Sequence, residues 1–165
     1  MPERPPDIPG FESARVVRRL GAGPVADSWL LERESRQWVL RRDRPCAARI
    51  GLDRELEFLA LREAHRHGLA PEPLVVNPGA GTLVTGFLPG ETWEERLAPG
   101  DTGVWAHLGA LLRRVHALAP ETVPRFEAAE VFQRYARASD TADARALARD
   151  LTERSEHLYR EAPWV

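Results

Sequence analysis

The apolar residues of this chain turn to helical spacing for the rest of its length near Gly90, and that change limits its architecture more than any other feature. Before Gly90, one helical stretch after Asp53 apart, they come in short runs rich in β-branched and aromatic residues, separated by Gly, Pro and polar clusters. After it they recur at helical spacing. Ala14–Leu20 and Ala26–Glu32 read as strands on either side of Gly21-Ala22-Gly23-Pro24. Gln37–Arg41 reads as a third, with Trp38 and Leu40 on one face and Val39 and Arg41 on the other. Asp53 opens a helix over about 54–67, with Leu52, Leu56 and Leu59 in one stripe widened by Phe58 and Leu61; Gly68 caps it and Pro71 stops it. Leu74–Val76 and Thr82–Leu88 are further strands around the turn cluster Asn77-Pro78-Gly79-Ala80-Gly81. From Thr92 the pattern predicts helices: a short one over 92–97, then a long one over about 102–118 striped by Val104, Leu108, Leu111, Leu112 and Val115. Two more follow, one holding Val131, Phe132 and Tyr135 and one holding Leu147, Leu151 and Leu158, with a break at Asp140–Asp143. The expected fold class is α+β, a five-stranded antiparallel sheet with one helix followed by an α-helical part. The expected divisions are a flexible arm over 1–12, which carries four prolines, a sheet-rich lobe over 13–90 and a helical part over 91–165.

Composition narrows the function classes. The 165 residues are 43% apolar and 29% charged, a globular balance that argues against disorder. A net charge of −2 supplies no field to gather nucleic acid or an anionic membrane. No apolar run approaches the ~18 residues of a membrane span, and the start Met-Pro-Glu-Arg-Pro-Pro is not a signal peptide. A cytoplasmic protein is expected. A single cysteine, Cys46, excludes an internal disulfide and a cysteine-cluster metal site. His65 and His67, two apart on a helix, cannot share a metal. All 23 basic residues are arginine, so any chemistry that calls for lysine must do without it.

Four places could carry chemistry. Gly21-Ala22-Gly23 lies between two strands, where glycine allows positive φ and close approach of backbone amides to a ligand; strand–glycine loop–strand is the geometry of a kinase-type phosphate cover, and an ordinary hairpin turn is the plainer reading. Arg41 ends the third strand, either in solvent or reaching phosphates beneath that loop. Glu55 lies on the following helix, either solvated or paired with the strand cation. Thr85-Gly86-Phe87-Leu88-Pro89-Gly90 joins the two halves, as a plain linker or as extended backbone offered to a planar heterocycle.

The order of these features resembles the N-terminal lobe of the aminoglycoside phosphotransferase and choline kinase-like superfamily, which has a protein-kinase-like fold. Val39-Leu40-Arg41-Arg42 resembles its third strand, and Asp53-Arg54-Glu55-Leu56-Glu57-Phe58-Leu59-Ala60-Leu61 with Gly68-Leu69-Ala70-Pro71 resembles its first helix and exit. Leu83-Val84-Thr85-Gly86-Phe87-Leu88-Pro89-Gly90 resembles its hinge strand, and the run from Leu108 to Leu118 its first long C-lobe helix. The likeness covers about residues 13–120. Ser28-Trp29-Leu30-Leu31-Glu32 followed by Trp38-Val39-Leu40-Arg41-Arg42 is most similar to the thiamine kinase-like branch.

The resemblance implies an ATP-dependent phosphotransferase that uses Mg²⁺ and acts on a hydroxyl of a small molecule, a thiamine- or choline-type alcohol or an aminoglycoside. It implies that Arg41 holds the α- and β-phosphates and Glu55 orients Arg41. Gly21, Gly23 and Ser28 would line the phosphate loop, Thr85 the back of the adenine pocket, and the backbone of Gly86 and Leu88 would bond adenine. Asp27, where many relatives carry asparagine in that loop, is expected to repel phosphates. The family's His-x-Asp catalytic loop with its following Asn, and its later metal-binding Asp, are absent from these residues. No catalytic or metal-binding residue is therefore expected in this chain, which reads as the N-terminal portion of a kinase. A noncatalytic kinase-like binding module is the alternative. Self-association is expected through the uncovered face of the helix over 102–118.

Overall fold

A computed structural model describes residues 8–92, 102–118 and 127–161. Strands β1 (Arg15–Ala22), β2 (Ala26–Arg33), β3 (Arg36–Asp43), β4 (Pro73–Asn77) and β5 (Thr82–Gly86) form one antiparallel sheet in the order β1-β2-β3-β5-β4. The first three form a meander. The chain then passes through helices α1 (Cys46–Arg49) and α2 (Arg54–Arg66) and returns as a hairpin whose second strand joins β3. Five strands and the long helix stand where the sequence places them; α1 is additional, and β5 stops at Gly86, two residues before Leu88.

Local chemistry fixes the ends of α2. The Asp53 side chain accepts the Leu56 N–H at 2.9 Å, an N-cap. At the other end Gly68 takes φ +66°, and the Leu69 and Gly68 amides bond the Ala64 and His65 carbonyls, the paired closure that favours glycine.

Register assigns every sheet residue to a face, because directly opposed residues project the same way. Leu31, Trp38, Leu40 and Val84 share one face and form the core with Ile8, Phe11 and Ala14. The other face carries Ser28, Leu30, Val39, Arg41, Leu83 and Thr85. Ile8 and Phe11 correct the expected flexible arm in its final residues. They are 3% and 7% exposed, the Phe11 N–H bonds the Ile8 carbonyl, and the Phe11 ring meets Trp38 edge to face. The prolines disguise an apolar pair that closes over the sheet.

The helices α3 (Thr102–His116), α4 (Ala128–Ala138) and α5 (Ala142–Glu161) follow. Of the helix expected over 92–97, all but Thr92 lies outside the described residues. The break between α4 and α5 is shorter than expected, since Asp143 already belongs to the first turn of α5. The stripe on α3 is only partly covered: Val104, Leu108 and Leu111 are half-buried, whereas Leu112 and Val115 remain 45% and 42% exposed. Among the described residues no helix is long and apolar enough to cross a membrane.

The chain divides into two units, Met1–Arg44 with Asp53–Val123, and Pro45–Leu52 with Pro124–Val165. In the first unit Arg114 of α3 donates to the His67 carbonyl at 2.9 Å, tying α3 to the end of α2. In the second, Arg49 of α1 bonds the Ala138 carbonyl and Asp140, and Arg134 of α4 fills the space beside Gly51, whose φ is +73°.

Candidate functional site

Three expected site residues lie in one row across the sheet. Gly21 on β1 opposes Ser28 on β2, and Ser28 opposes Arg41 on β3, so all three present the same face. The adjacent row on that face runs Leu30, Val39, Thr85. Thr85 is 5% exposed and Leu30 is 5% exposed, so an apolar strip sits beside a cation. That strip was not singled out in the sequence, although the alternation of Val39 with Arg41 already placed them together.

The glycine turn does not use the positive φ that its glycines allow. Neither Gly21 nor Gly23 lies in the left-handed region. The Gly23 amide bonds the Ala26 carbonyl at 2.9 Å, and a Cβ on Gly23 would come within 3.1 Å of that oxygen. A Cβ on Gly21 would meet nothing within 4 Å, so this end of the row is open.

Arg41 is held by α2, but through a different carboxylate from the one expected. Its Nη1 donates to Glu57 Oε1 at 2.5 Å, whereas Glu55 is exposed. The reason is helical geometry: residues two apart on a helix point about 200° apart, so only one of the pair can face the sheet. The second Glu57 oxygen, Oε2, accepts from Arg54 Nη1, and Arg54 also donates to Asp43 Oδ1, from Nε at 2.8 Å and from Nη2. Asp43, Arg54, Glu57 and Arg41 thus alternate in charge between the end of β3 and the start of α2. Arg54 is a buried cation, its side chain 1% exposed. It went unread in the sequence. The available signal was an arginine in the first turn of a helix, where the dipole disfavours a cation, with a glutamate three residues later.

Asp27 is not a free anion beneath the turn. Its row partners are Ala22 and Arg42, which puts it on the face opposite Ser28 and Arg41. Arg44 bonds it from Nη2 at 2.7 Å and Nε at 3.2 Å, and Arg19 bonds it as well. These guanidinium groups, Arg44 first, lower the Asp27 pKa below its ordinary 3.8. Gln37 and then Arg15 do the same for Glu32, below 4.5. Carboxylates depressed by folding stabilise the fold above their unfolded pKa values, and that contribution fades as pH falls through the folded ones. The first unit is therefore expected to lose stability from about pH 4.5 downward. Asp27→Asn should flatten that acid limb in thermal melts recorded between pH 7 and pH 3; an unchanged slope refutes the assignment.

In the hinge segment the Gly86 N–H is occupied by the Glu72 carbonyl at 2.8 Å. The Phe87 N–H bonds the Gln37 carbonyl at 3.2 Å. The Leu88 N–H bonds no described residue, and its side chain is 64% exposed. Among the described residues no cluster of His, Cys, Asp or Glu side chains is arranged to hold a metal ion.

A sheet turn open on one side, a helix-paired strand cation and an extended hinge are the parts of a kinase N-lobe, and comparison with known proteins agrees. The model of the phosphotransferase enzyme family matches residues 16–164. The chain belongs to that family. Its fold is also that of solved kinases. A choline/ethanolamine kinase family protein from Mesorhizobium loti is 25% identical, with a TM-score of 0.57 over 87% of this chain and 48% of the other. Choline kinase LicA from Streptococcus pneumoniae is 14% identical, with a TM-score of 0.62 over 88% of this chain and 54% of the other. The phosphotransferase-family chain thus spans about half the length of these structures. No curated protein matches it.

Proposed function

We propose that the chain is the nucleotide-binding portion of a phosphotransferase that moves the γ-phosphoryl group of ATP to a hydroxyl of a small molecule. A thiamine- or choline-type alcohol is the favoured acceptor, and an aminoglycoside the alternative. The observation that carries this reading is the row Gly21–Ser28–Arg41, open at Gly21, with Arg41 fixed by Glu57 beside the strip of Leu30, Val39 and Thr85. Such a surface suits a molecule with a planar apolar end and an anionic end. The guanidinium of Arg41 would take phosphate oxygens through its planar fork, and the hinge backbone at Gly86 and Leu88 would meet the base. The described residues fit the nucleotide but not the Mg²⁺ expected with it, because no three of their His, Cys, Asp or Glu side chains come together to hold an ion, and Asp43 and Glu57 are taken by Arg54 and Arg41. The same observation favours, as a second reading, a noncatalytic module that keeps the cleft.

The test is calorimetric titration with ATP and with adenosine. Arg41→Met is expected to weaken ATP about tenfold or more, the loss of a charge-assisted contact, while adenosine affinity holds. Equal ATP affinity in both proteins would overturn the reading. Self-association through the exposed Leu112 and Val115 belongs to the same proposal, and sedimentation of the titrated sample reads it.

A further inference from the structure

We infer that Arg54 is a positioning residue for the polyphosphate, acting through Glu57 on Arg41. The inference rests on the nucleotide reading above. It starts from an anomaly of placement. Arg54 opens α2, where the helix dipole opposes a cation, and its side chain is 1% exposed, where an unpaired charge is costly. It persists there because Asp43 takes its Nε and Nη2 while Glu57 takes its Nη1. Asp43 is itself anchored: its N–H bonds the Gly81 carbonyl at 2.8 Å, and Gly81, at φ +60°, leaves no room for a Cβ against the Asp43 side chain.

Two consequences reach Arg41. The first is orientation. A lysine ammonium tolerates an acceptor from many directions, whereas a guanidinium needs one near its plane. Arg54 binds Glu57 Oε2 and so directs Oε1 at Arg41. The second is charge. With Arg54 present, two carboxylates face two guanidinium groups. Without it, Asp43 and Glu57 together would face Arg41 alone, saturate it, and leave a net negative charge where phosphates should approach. Arg54 therefore leaves Arg41 with cationic character to spare for a ligand. A purely structural tether between β3 and α2 would affect any ligand alike; a positioning role affects the anionic end only.

The experiment compares affinities for ATP and adenosine in the full chain, its Arg54→Lys variant and its Arg54→Met variant. Arg54→Lys keeps the buried charge but loses the fork, and is expected to bind ATP about tenfold more weakly with adenosine affinity unchanged. Arg54→Met should lose more on ATP, and if it fails to fold Arg54→Lys decides alone. Adding Arg54→Lys to Arg41→Met should cost nothing further on ATP, since the route runs through Arg41. An Arg54→Lys protein that binds ATP normally, or that loses ATP and adenosine equally, overturns the inference and leaves the nucleotide reading standing. An unaltered chain that binds neither ligand overturns the nucleotide reading, and the inference falls with it.

Discussion

Mixed with ATP, Mg²⁺ and a panel of thiamine, choline, homoserine and aminoglycosides, a polypeptide of these 165 residues is expected to produce no phosphorylated alcohol. Phosphoryl transfer needs a group to orient the acceptor hydroxyl and oxygen ligands to hold Mg²⁺ against the phosphates. The family motif that the resemblance assigns to those tasks, His-x-Asp with its Asn and a later Asp, does not occur in the sequence. Several of the acids present are engaged elsewhere. Glu57 serves Arg41 and Arg54, Asp43 serves Arg54, and Asp27 serves Arg44 and Arg19. Losing one preorganised donor costs about 10²–10³ in rate, and here several would be missing together. The measurement is a coupled ADP-release assay beside a family member that carries the motif. Comparable turnover by the short polypeptide would overturn both this expectation and the roles given to Arg41 and Glu57.

Phe11→Ala is expected to cost about 3–5 kcal/mol, the range for deleting a buried phenylalanine. The ring is 7% exposed and meets Trp38 with centroids 5.1 Å apart at 89°, an edge-to-face pair. It also sits on the chain just ahead of β1, so its loss frees the lead-in to the sheet as well as opening a cavity. Against a typical domain stability of about 5–15 kcal/mol this is a large fraction. Urea unfolding reads it as a lower midpoint at constant slope. A loss below about 1 kcal/mol would mean that residues 8–12 lie loosely after all.

The sheet was legible because its alternation is strict. Trp38 and Leu40 against Val39 and Arg41 fixes a strand and both its faces, and the turn residues on either side fix its ends. The helix α2 was legible from Asp53 and Gly68, whose capping chemistry is local. What escaped notice depends on contacts between distant residues. Glu55 and Glu57 are chemically equal in the sequence, and only the rotation of α2 against β3 chooses Glu57. Nothing local sets Arg54 apart from the other arginines; its burial depends on Asp43 and Glu57, which close around it. Ile8 and Phe11 were hidden by composition, since a proline-rich start suggests a tail while two apolar side chains suffice to pin it. The helix α1, four residues long, is below the length at which periodicity carries information.

The order in which a ribosome delivers this chain does not match the order in which its parts can close. Arg49 must wait for Ala138, 89 residues later, and for Asp140, 91 residues later. Until α4 emerges, the segment Pro45–Leu52 is a nascent loop between β3 and α2 that lacks the Arg134 side chain its Gly51 will receive. The sheet can form around that loop, since closing it demands little entropy. The second unit cannot begin until synthesis is well advanced, because one of its pieces was made early and the rest last. Cleaving the backbone near Gly90 would therefore not yield two self-sufficient halves. It would strand Pro45–Leu52 on one fragment and the helices that receive it on the other.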